Sequence, residues 1–242
     1  MPSRATIAEI DQFWAANFNC DPAFFYIPGC FQLESKQNLP PEVFLFRRGL
    51  CCTLAASASL MNRTQSAIDG CTVDKVFDVE FWANLFGGEA DRILGPAWLG
   101  YADRSDFDPV VHDEVKLLTA NDAAALRDFA SSCAEIEWEH SGIEFDHSPI
   151  FGYFSNDEIH SVASYEIWGS RIAHIGVVTH PAHRGKGYGK AVVSVTADYA
   201  LENGLIAQYR TLESNLPSVA VGQALGFKKY ASTIAVVLSD TQ

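Results

Sequence analysis

The stretch "RIAHIGVVTHPAHRGKGYGKAVVSVTADYALENG", residues 171–204, predicts a strand, a glycine-rich loop and a helix, in that order. The apolar run at its start is typical of a strand. The run after the last loop glycine indicates a helix that ends at Asn203-Gly204. In such a unit, unpaired backbone N–H groups and the positive end of the helix dipole point to one place. The stretch therefore favours an anion site at the start of the helix.

The glycine spacing separates this loop from two common nucleotide loops. Gly185, Gly187 and Gly189 form G-x-G-x-G, whereas the dinucleotide fingerprint needs G-x-G-x-x-G and the P-loop needs G-x-x-x-x-G-K-[ST]. Glycine lets an anion approach the backbone closely. Positive charge for a phosphate comes from Arg184, Lys186 and Lys190. The residues alone leave two interpretations open, a phosphate-binding loop and a basic, solvated turn.

A second pattern follows downstream. The segment "LESNLPSVAVGQALGF", residues 212–227, ends a predicted strand and continues into a short predicted helix with Pro217 in its first turn. Together with Arg184-x-x-Gly187-x-Gly189, this segment resembles the acyl-CoA-binding core of the GCN5-related N-acetyltransferase (GNAT) superfamily. The family signature is [Q/R]-x-x-G-x-[G/A] on a strand–loop–helix unit, followed by Asn, a short helix and Gly-Phe. The resemblance covers residues 113–240.

The element order and the resemblance give the expected fold. Residues from 115 onward predict β-α-β-β-β-α-β-α-β, an α/β (α+β) arrangement. The resemblance implies a GNAT-like mixed, mostly antiparallel sheet flanked by helices. We expect a GNAT acyl-CoA-binding catalytic domain at 113–242 and an α/β accessory domain at 1–110, which is a candidate degenerate GNAT-like half. The acidic segment 103–114 is the linker candidate.

The resemblance also implies how acetyl-CoA is held as cosubstrate. The backbone amides of the loop are expected to bind the pyrophosphate: Arg184, Gly185, Lys186, Gly187, Tyr188, Gly189 and Lys190. Main-chain groups at the end of the preceding strand are expected to pair with the pantetheine arm and to polarise the thioester carbonyl: Val177, Val178 and Thr179. Asn215 would bind the arm from the neighbouring strand, and Ser218 would hydrogen-bond the sulfur.

The catalytic groups are less defined by the sequence. A neutral amine is needed, so a general base must take its proton, and Glu213 and Glu166 on predicted strands are equal candidates. Each of them is also compatible with a solvated strand residue. Many family members carry a tyrosine proton donor where this chain has Gly222. Ser218, Tyr230 or water remain as alternatives.

Composition narrows the function classes. The formal net charge of −13 disfavours nucleic acid and an anionic membrane surface as partners. The six cysteines and seven histidines lack metal-ligand spacing, so we expect no metal. Neither a signal peptide nor a membrane-spanning run is evident, which predicts a cytoplasmic protein. The expected acceptor is an amine-bearing small molecule or a peptide N-terminus, and a homodimer is left open.

Other polar segments carry open interpretations. The acidic and aromatic segment Ser132–His147 suits a cationic amine, but it also suits a solvated helix and loop. His174 is expected to be a hydrogen-bonded sheet histidine, and His180 and His183 are expected to shape the loop. The leading hypothesis is an N-acetyltransferase that works by direct attack in a ternary complex. The alternatives are a catalytically lapsed CoA-binding sensor or interaction module, and a structural protein with a chance glycine turn.

Overall fold

The computed structural model describes residues 2–33, 42–110, 112–144 and 149–239. The chain divides into two compact units whose segments alternate along the sequence. Unit 1 comprises Met1–Pro2, Gly100–Arg210 and Pro217–Lys228, and unit 2 comprises Ser3–Leu99, Thr211–Leu216 and Lys229–Gln242. The division into domains at 110–113 stays a prediction.

The described chain contains both helices and strands, and these are numbered in chain order. The helices are α1 (Arg4–Phe18), α2 (Met61–Ile68), α3 (Val73–Val76), α4 (Val79–Phe86), α5 (Ala123–Ser131), α6 (Glu135–Ser141), α7 (Tyr188–Glu202) and α8 (Leu216–Ala224). The strands are β1 (Gly29–Leu33), β2 (Val43–Arg48), β3 (Cys51–Ala56), β4 (Ala90–Ala102), β5 (Val115–Leu117), β6 (Ile150–Ser155), β7 (Glu158–Trp168), β8 (Ile172–Thr179), β9 (Ile206–Leu212) and β10 (Lys228–Leu238).

Unit 2 contains the strand order β1-β3-β2-β10-β4. The β3–β2 and β2–β10 pairs are antiparallel, and β1 lies parallel to β3. One core cluster joins Leu45 of β2, Leu54 of β3, Trp82 of α4 and Ile234 of β10, all of them buried. Burial of these apolar side chains is the main stabilising contribution to the unit.

Unit 1 contains the strand order β9-β8-β7-β6-β5, antiparallel except for the parallel β8–β9 pair. The side chains of β8 alternate between the two faces of the sheet, and a helix packs on each face. Val178 packs with Leu126 and Phe129 of α5, whereas the neighbouring Thr179 faces Gly189 of α7. The predicted mixed, mostly antiparallel sheet flanked by helices is confirmed.

One glycine permits the packing of α6 on β8. A Cβ atom at Gly176 would lie 1.7 Å from the backbone oxygen of Ser141, the last residue of α6. Any larger residue would therefore push the end of α6 off the strand. This approach places α6 beside the part of β8 that was predicted to meet the coenzyme.

The predicted elements from β8 onward are found in the structure, but several N-terminal predictions were wrong. The apolar and aromatic run "AFFYIPGCFQL", residues 23–33, predicts one strand. Instead, Pro22–Tyr26 forms a 3-10 turn, capped by the Asp21 side chain, and only Gly29–Leu33 of this run is a strand. The run "TVDKVFDVEFWANLFGG", residues 72–88, predicts a single helix that ends at Gly87-Gly88. It forms two helices, because the Asp78 side chain accepts from Glu80 N–H and caps a new helix. Strand β3 and helix α2 were not predicted.

Within the described residues, no helix combines the length and apolar character needed to cross a membrane. Residues 145–147 of the acidic and aromatic segment Ser132–His147 lie outside the described residues.

Candidate functional site

Strands β8 and β9 separate at the point where the sequence predicts coenzyme binding. They pair in parallel from Ile172↔Ile206 to Ile175↔Tyr209 and no further. Strand β8 continues to Thr179, and its other edge stays paired with β7 as far as Ser161↔Thr179. Within the described chain, Gly176–Thr179 therefore has no strand partner on the β9 side. Such an edge can accept an extended ligand as if it were an added strand.

The glycine loop joins this edge to the N-terminus of α7. Gly185 and Gly187 have φ of 76° and 88°, the left-handed region that favours glycine. Gly187 is the N-cap of α7, and Ala191 N–H donates to Gly187 O. The amides that precede Ala191 at the helix start have no intrahelical acceptor, so they can bind an anion, and the helix dipole adds to their attraction.

The cations of the loop are not equally available. The Arg184 guanidinium donates to both carboxylate oxygens of Glu137 on α6, at 2.8 and 2.6 Å, and its Nε donates to Thr179 O at 3.3 Å. Arg184 thus ties the loop to β8 and α6. Lys186 Nζ lies 3.2 Å from His183 Nδ1. Lys186 and Lys190 are left as the loop cations without a described carboxylate partner.

Histidine and aromatic rings pack under the loop. His160 on β7 stacks on His183 with ring centroids 3.8 Å apart, and it also contacts Tyr188. Burial and the neighbouring His183 lower the pKa of His160. His180 caps a short turn by accepting from Ala182 N–H. These contacts agree with the expectation that His180 and His183 shape the loop.

A hydroxyl pair lies where the sequence left the proton donor open. The Tyr209 hydroxyl on β9 and Ser218 Oγ on α8 are 2.7 Å apart. Ser218 lies one helical turn before Gly222, so the two positions share a helix face. Burial raises the pKa of Tyr209, which keeps its hydroxyl protonated. The sequence singled out Ser218 but missed Tyr209, whose position on a strand gave no signal.

Glu166 lies on β7 opposite His174 of β8 and accepts from Trp168 Nε1 at 3.0 Å. It is exposed. His174 hydrogen-bonds through Nδ1 to Gln208 Oε1 at 2.6 Å and stacks on Trp168, as expected for a sheet histidine. His174 is paired with Gln208 of β9. Glu166 therefore lies opposite a paired residue of β8, and not opposite the open edge Gly176–Thr179.

Glu213 lies in a cavity of about 510 Å³ within unit 2. Lys229 Nζ and Ser232 Oγ both donate to Glu213 Oε1, at 2.7 and 2.5 Å. Burial opposes ionisation of this carboxyl, but the two hydrogen bonds outweigh it and lower its pKa. Glu213 is therefore ionised at neutral pH. The cavity is lined by Arg47, Gly49, Phe77, Pro96, Glu213, Lys229, Tyr230, Ala231 and Ser232.

Two further candidates are placed by their contacts. Tyr230, an alternative proton donor, directs its hydroxyl to the buried carboxylate of Asp11, and Arg48 pairs with the same carboxylate. Asn215 lies in the turn between β9 and α8, where its N–H donates to Leu212 O at 3.0 Å. The roles proposed for Asn215, Glu166 and Glu213 remain predictions.

A strand edge that opens beside a glycine loop and a helix N-terminus is the arrangement that the resemblance to the GNAT superfamily implies. Residues 119–227 match the model of the acetyltransferase (GNAT) family. Over this segment, which is 109 of the 242 residues, the chain matches the GNAT family model, as the resemblance predicted. No curated protein sequence matches the chain.

Solved structures share the fold at low sequence identity. An acetyltransferase of the GNAT family from Colwellia psychrerythraea is 11% identical with a TM-score of 0.54, covering 99% of this chain and 98% of that one. A GCN5-related N-acetyltransferase-like protein from Streptococcus suis is 15% identical with a TM-score of 0.51, covering 96% and 100%. A putative GNAT acetyltransferase from Novosphingobium aromaticivorans is 18% identical with a TM-score of 0.51, covering 64% and 69%.

Proposed function

We propose that this protein is an acetyl-CoA-dependent N-acyltransferase that moves an acetyl or other short acyl group to a primary amine by direct attack in a ternary complex. The observation that carries this proposal is the end of β8–β9 pairing at Ile175 and Tyr209, beside the R-x-x-G-x-G loop. The open strand edge, the loop amides and the helix N-terminus fit an elongated anionic coenzyme.

Each part of the coenzyme has residues suited to it. The amides of Gly185–Lys190 and the ammonium groups of Lys186 and Lys190 would hold the pyrophosphate. The main chain of Val177–Thr179 would bind the pantetheine arm, with Asn215 as a further contact. Arg184 would act mainly by fixing the loop, because Glu137 already neutralises its charge. Bound acetyl-CoA supplies the acetyl group as an activated thioester.

The chemistry requires a base and stabilisation of the leaving thiolate. Glu213 would take the proton from the acceptor ammonium, since its carboxylate faces a cavity and Oε2 receives no described hydrogen bond. The amides at the end of β8 would polarise the carbonyl. Ser218 would donate a hydrogen bond to the departing sulfur while Tyr209 holds its hydroxyl in place. Glu166 is the weaker candidate for the base because its side chain is exposed and bound to Trp168.

The experiment is an assay of CoA release with a panel of amines of different classes. We expect release that depends on the amine and yields the N-acetylated product. The alternative, a CoA-binding sensor or interaction module, is motivated by Gly222, which cannot donate a proton. It predicts acetyl-CoA binding with no turnover of any acceptor. That outcome would contradict the enzyme proposal.

A further inference from the structure

The cavity at Glu213 is lined by side chains of both charge signs. Arg47 of β2 and Lys229 of β10 supply two cations, and Glu213 supplies one anion. The rest of the lining includes the ring of Phe77, with the Arg47 guanidinium 5.7 Å from its centroid. All of these residues belong to unit 2. A ligand of matching chemistry needs an anionic group, a cationic group and apolar surface.

The carboxylates that pair with the two cations are exposed or half-buried, and Arg47 also donates through Nε to Gly49 O at 3.2 Å. Arg47 donates to Asp74 at 2.7 Å, and the Asp74 side chain is 84% exposed. Lys229 pairs with Glu213 at 2.7 Å, with side chains 49% and 37% exposed. Ion pairs this exposed contribute little to stability. A ligand carboxylate can therefore replace either partner at low cost.

On the basis of the proposed function, we propose that this cavity selects an acceptor that carries both an ammonium and a carboxylate, namely a free amino acid with an apolar or aromatic side chain. Its carboxylate would meet Arg47 and Lys229, its ammonium Glu213, and its side chain Phe77. The two cations disfavour a polyamine. An internal residue or the N-terminus of a peptide lacks the adjacent carboxylate. The volume of about 510 Å³ is within the range of small-molecule sites.

The arrangement also links binding to proton transfer. In the free protein, Lys229 and Ser232 keep the pKa of Glu213 low despite its burial, which makes it a weak base. An acceptor carboxylate that draws Lys229 away removes one of these hydrogen bonds. The pKa of Glu213 then rises toward that of a better base. An acceptor without a carboxylate would leave the Lys229–Glu213 pair in place.

Three probes that share one side chain test the proposal: L-phenylalanine, L-phenylalaninamide and phenethylamine. We expect kcat/KM for CoA release to be at least about tenfold higher with phenylalanine than with the other two, as for a charge-assisted contact. Leucine and its amide form a second pair, and spermidine is the polyamine control. Equal use of the acid, the amide and the decarboxylated amine would overturn the proposal.

Variants locate the selection in the cavity. Arg47→Gln is expected to remove most of the preference for phenylalanine over its amide. Arg92→Gln is the matched control, because Arg92 is an arginine of unit 2 that lies beside an aspartate, as Arg47 does, but does not line the cavity. A preference that persists in Arg47→Gln and Lys229→Gln would contradict the proposal.

Failure of the proposed function would be visible separately. If no amine releases CoA, calorimetric titration of the full chain with phenylalanine and phenethylamine tests the cavity assignment independently of catalysis. Binding of phenylalanine alone, weakened about tenfold in Arg47→Gln, would support the cavity assignment without catalysis. Absence of phenylalanine binding would overturn the cavity assignment, whatever the coenzyme does.

Discussion

At the residue scale, the structure gives two sequence candidates different surroundings. Glu213 and Glu166 were equal as candidate bases, because each is a carboxylate on a predicted strand. Glu213 lies in a cavity, and its neighbours Lys229 and Ser232 come from β10, whereas Glu166 is exposed. The sequence could not show this, since these contacts join residues that are distant along the chain. The loop glycines could be predicted, because their spacing is local.

The Ser218–Tyr209 pair gives a prediction about the leaving group. Ser218→Ala is expected to lower kcat about tenfold or more, with a smaller effect on KM for acetyl-CoA, because a hydrogen bond to a charged sulfur is lost. Tyr209→Phe should lower kcat less, since Ser218 keeps its hydroxyl. Steady-state kinetics measure both effects. Ser214→Ala, at an exposed neighbouring serine, is the control, and unchanged kcat in Ser218→Ala would refute the role.

His174 gives a prediction about pH and stability. Burial, together with the charge of Arg210, lowers its pKa to about 3, against the opposing hydrogen bond to Gln208. The unfolded chain binds a proton near pH 6.5, so the stabilising contribution is complete above that pH and is lost as the pH falls toward 3. The slope is at most about 1.4 kcal/mol per pH unit.

Urea unfolding at several pH values between 7 and 4.5 measures this contribution. Relative to wild type, His174→Gln should become progressively less destabilised as the pH falls. His160 and His183 are present in both proteins, so their titration cancels. Parallel stability curves for the two proteins would show that His174 titrates normally.

At the element scale, the helices and strands that were predicted correctly are those marked by a pattern of neighbouring residues in the sequence. Strand β8 and helix α7 follow from an apolar run, a glycine loop and a helix stop. Strand β3 was missed because "CCTLAA" is buried at nearly every position. It therefore lacks the alternation that marks a half-buried strand. The aromatic run at 24–26 has high strand propensity, but Asp21 and Pro22 begin a turn there.

Gly176 gives a prediction about the packing of α6 on β8. Gly176→Ala should reduce the free energy of unfolding by about 1–3 kcal/mol, because the new methyl would overlap the Ser141 carbonyl. Gly152→Ala on β6 is the control, since its methyl would meet side-chain atoms and no backbone, namely the end of the flexible Leu118 side chain at 2.9 Å and Phe154 Cε2 at 3.3 Å. Chemical denaturation compares the two variants, and equal stability losses would contradict the assigned contact.

At the scale of the whole molecule, the segments of the two compact units alternate along the sequence, and the division into domains at 110–113 stays a prediction. Strand β10 lies at the C-terminus yet pairs with β2. Pairings between such distant segments leave no local mark in a sequence. The GNAT motifs predicted the family match over residues 119–227 and the mixed sheet, but they contain no information about which strand residues 228–238 would join.

A fragment of residues 113–242 tests the predicted domain. Without β2, the apolar side chains Ile234 and Val236 of β10, which are fully buried in the chain, would be exposed. We therefore expect this fragment to aggregate or to lack a cooperative thermal transition. A fragment of residues 113–227, which omits β10, should aggregate less. Cooperative unfolding of the longer fragment would instead support a self-contained domain.

The central claim is that the open edge of β8 and the glycine loop bind acetyl-CoA, and calorimetric titration tests it most directly. Gly187→Trp places a large side chain at a left-handed position in the loop. Gly204→Trp imposes similar backbone strain just after the other end of α7, since its φ is 75°. We predict that wild type and Gly204→Trp bind acetyl-CoA and that Gly187→Trp loses at least about tenfold in affinity. Equal affinities in all three proteins, or no binding by wild type, would contradict the account.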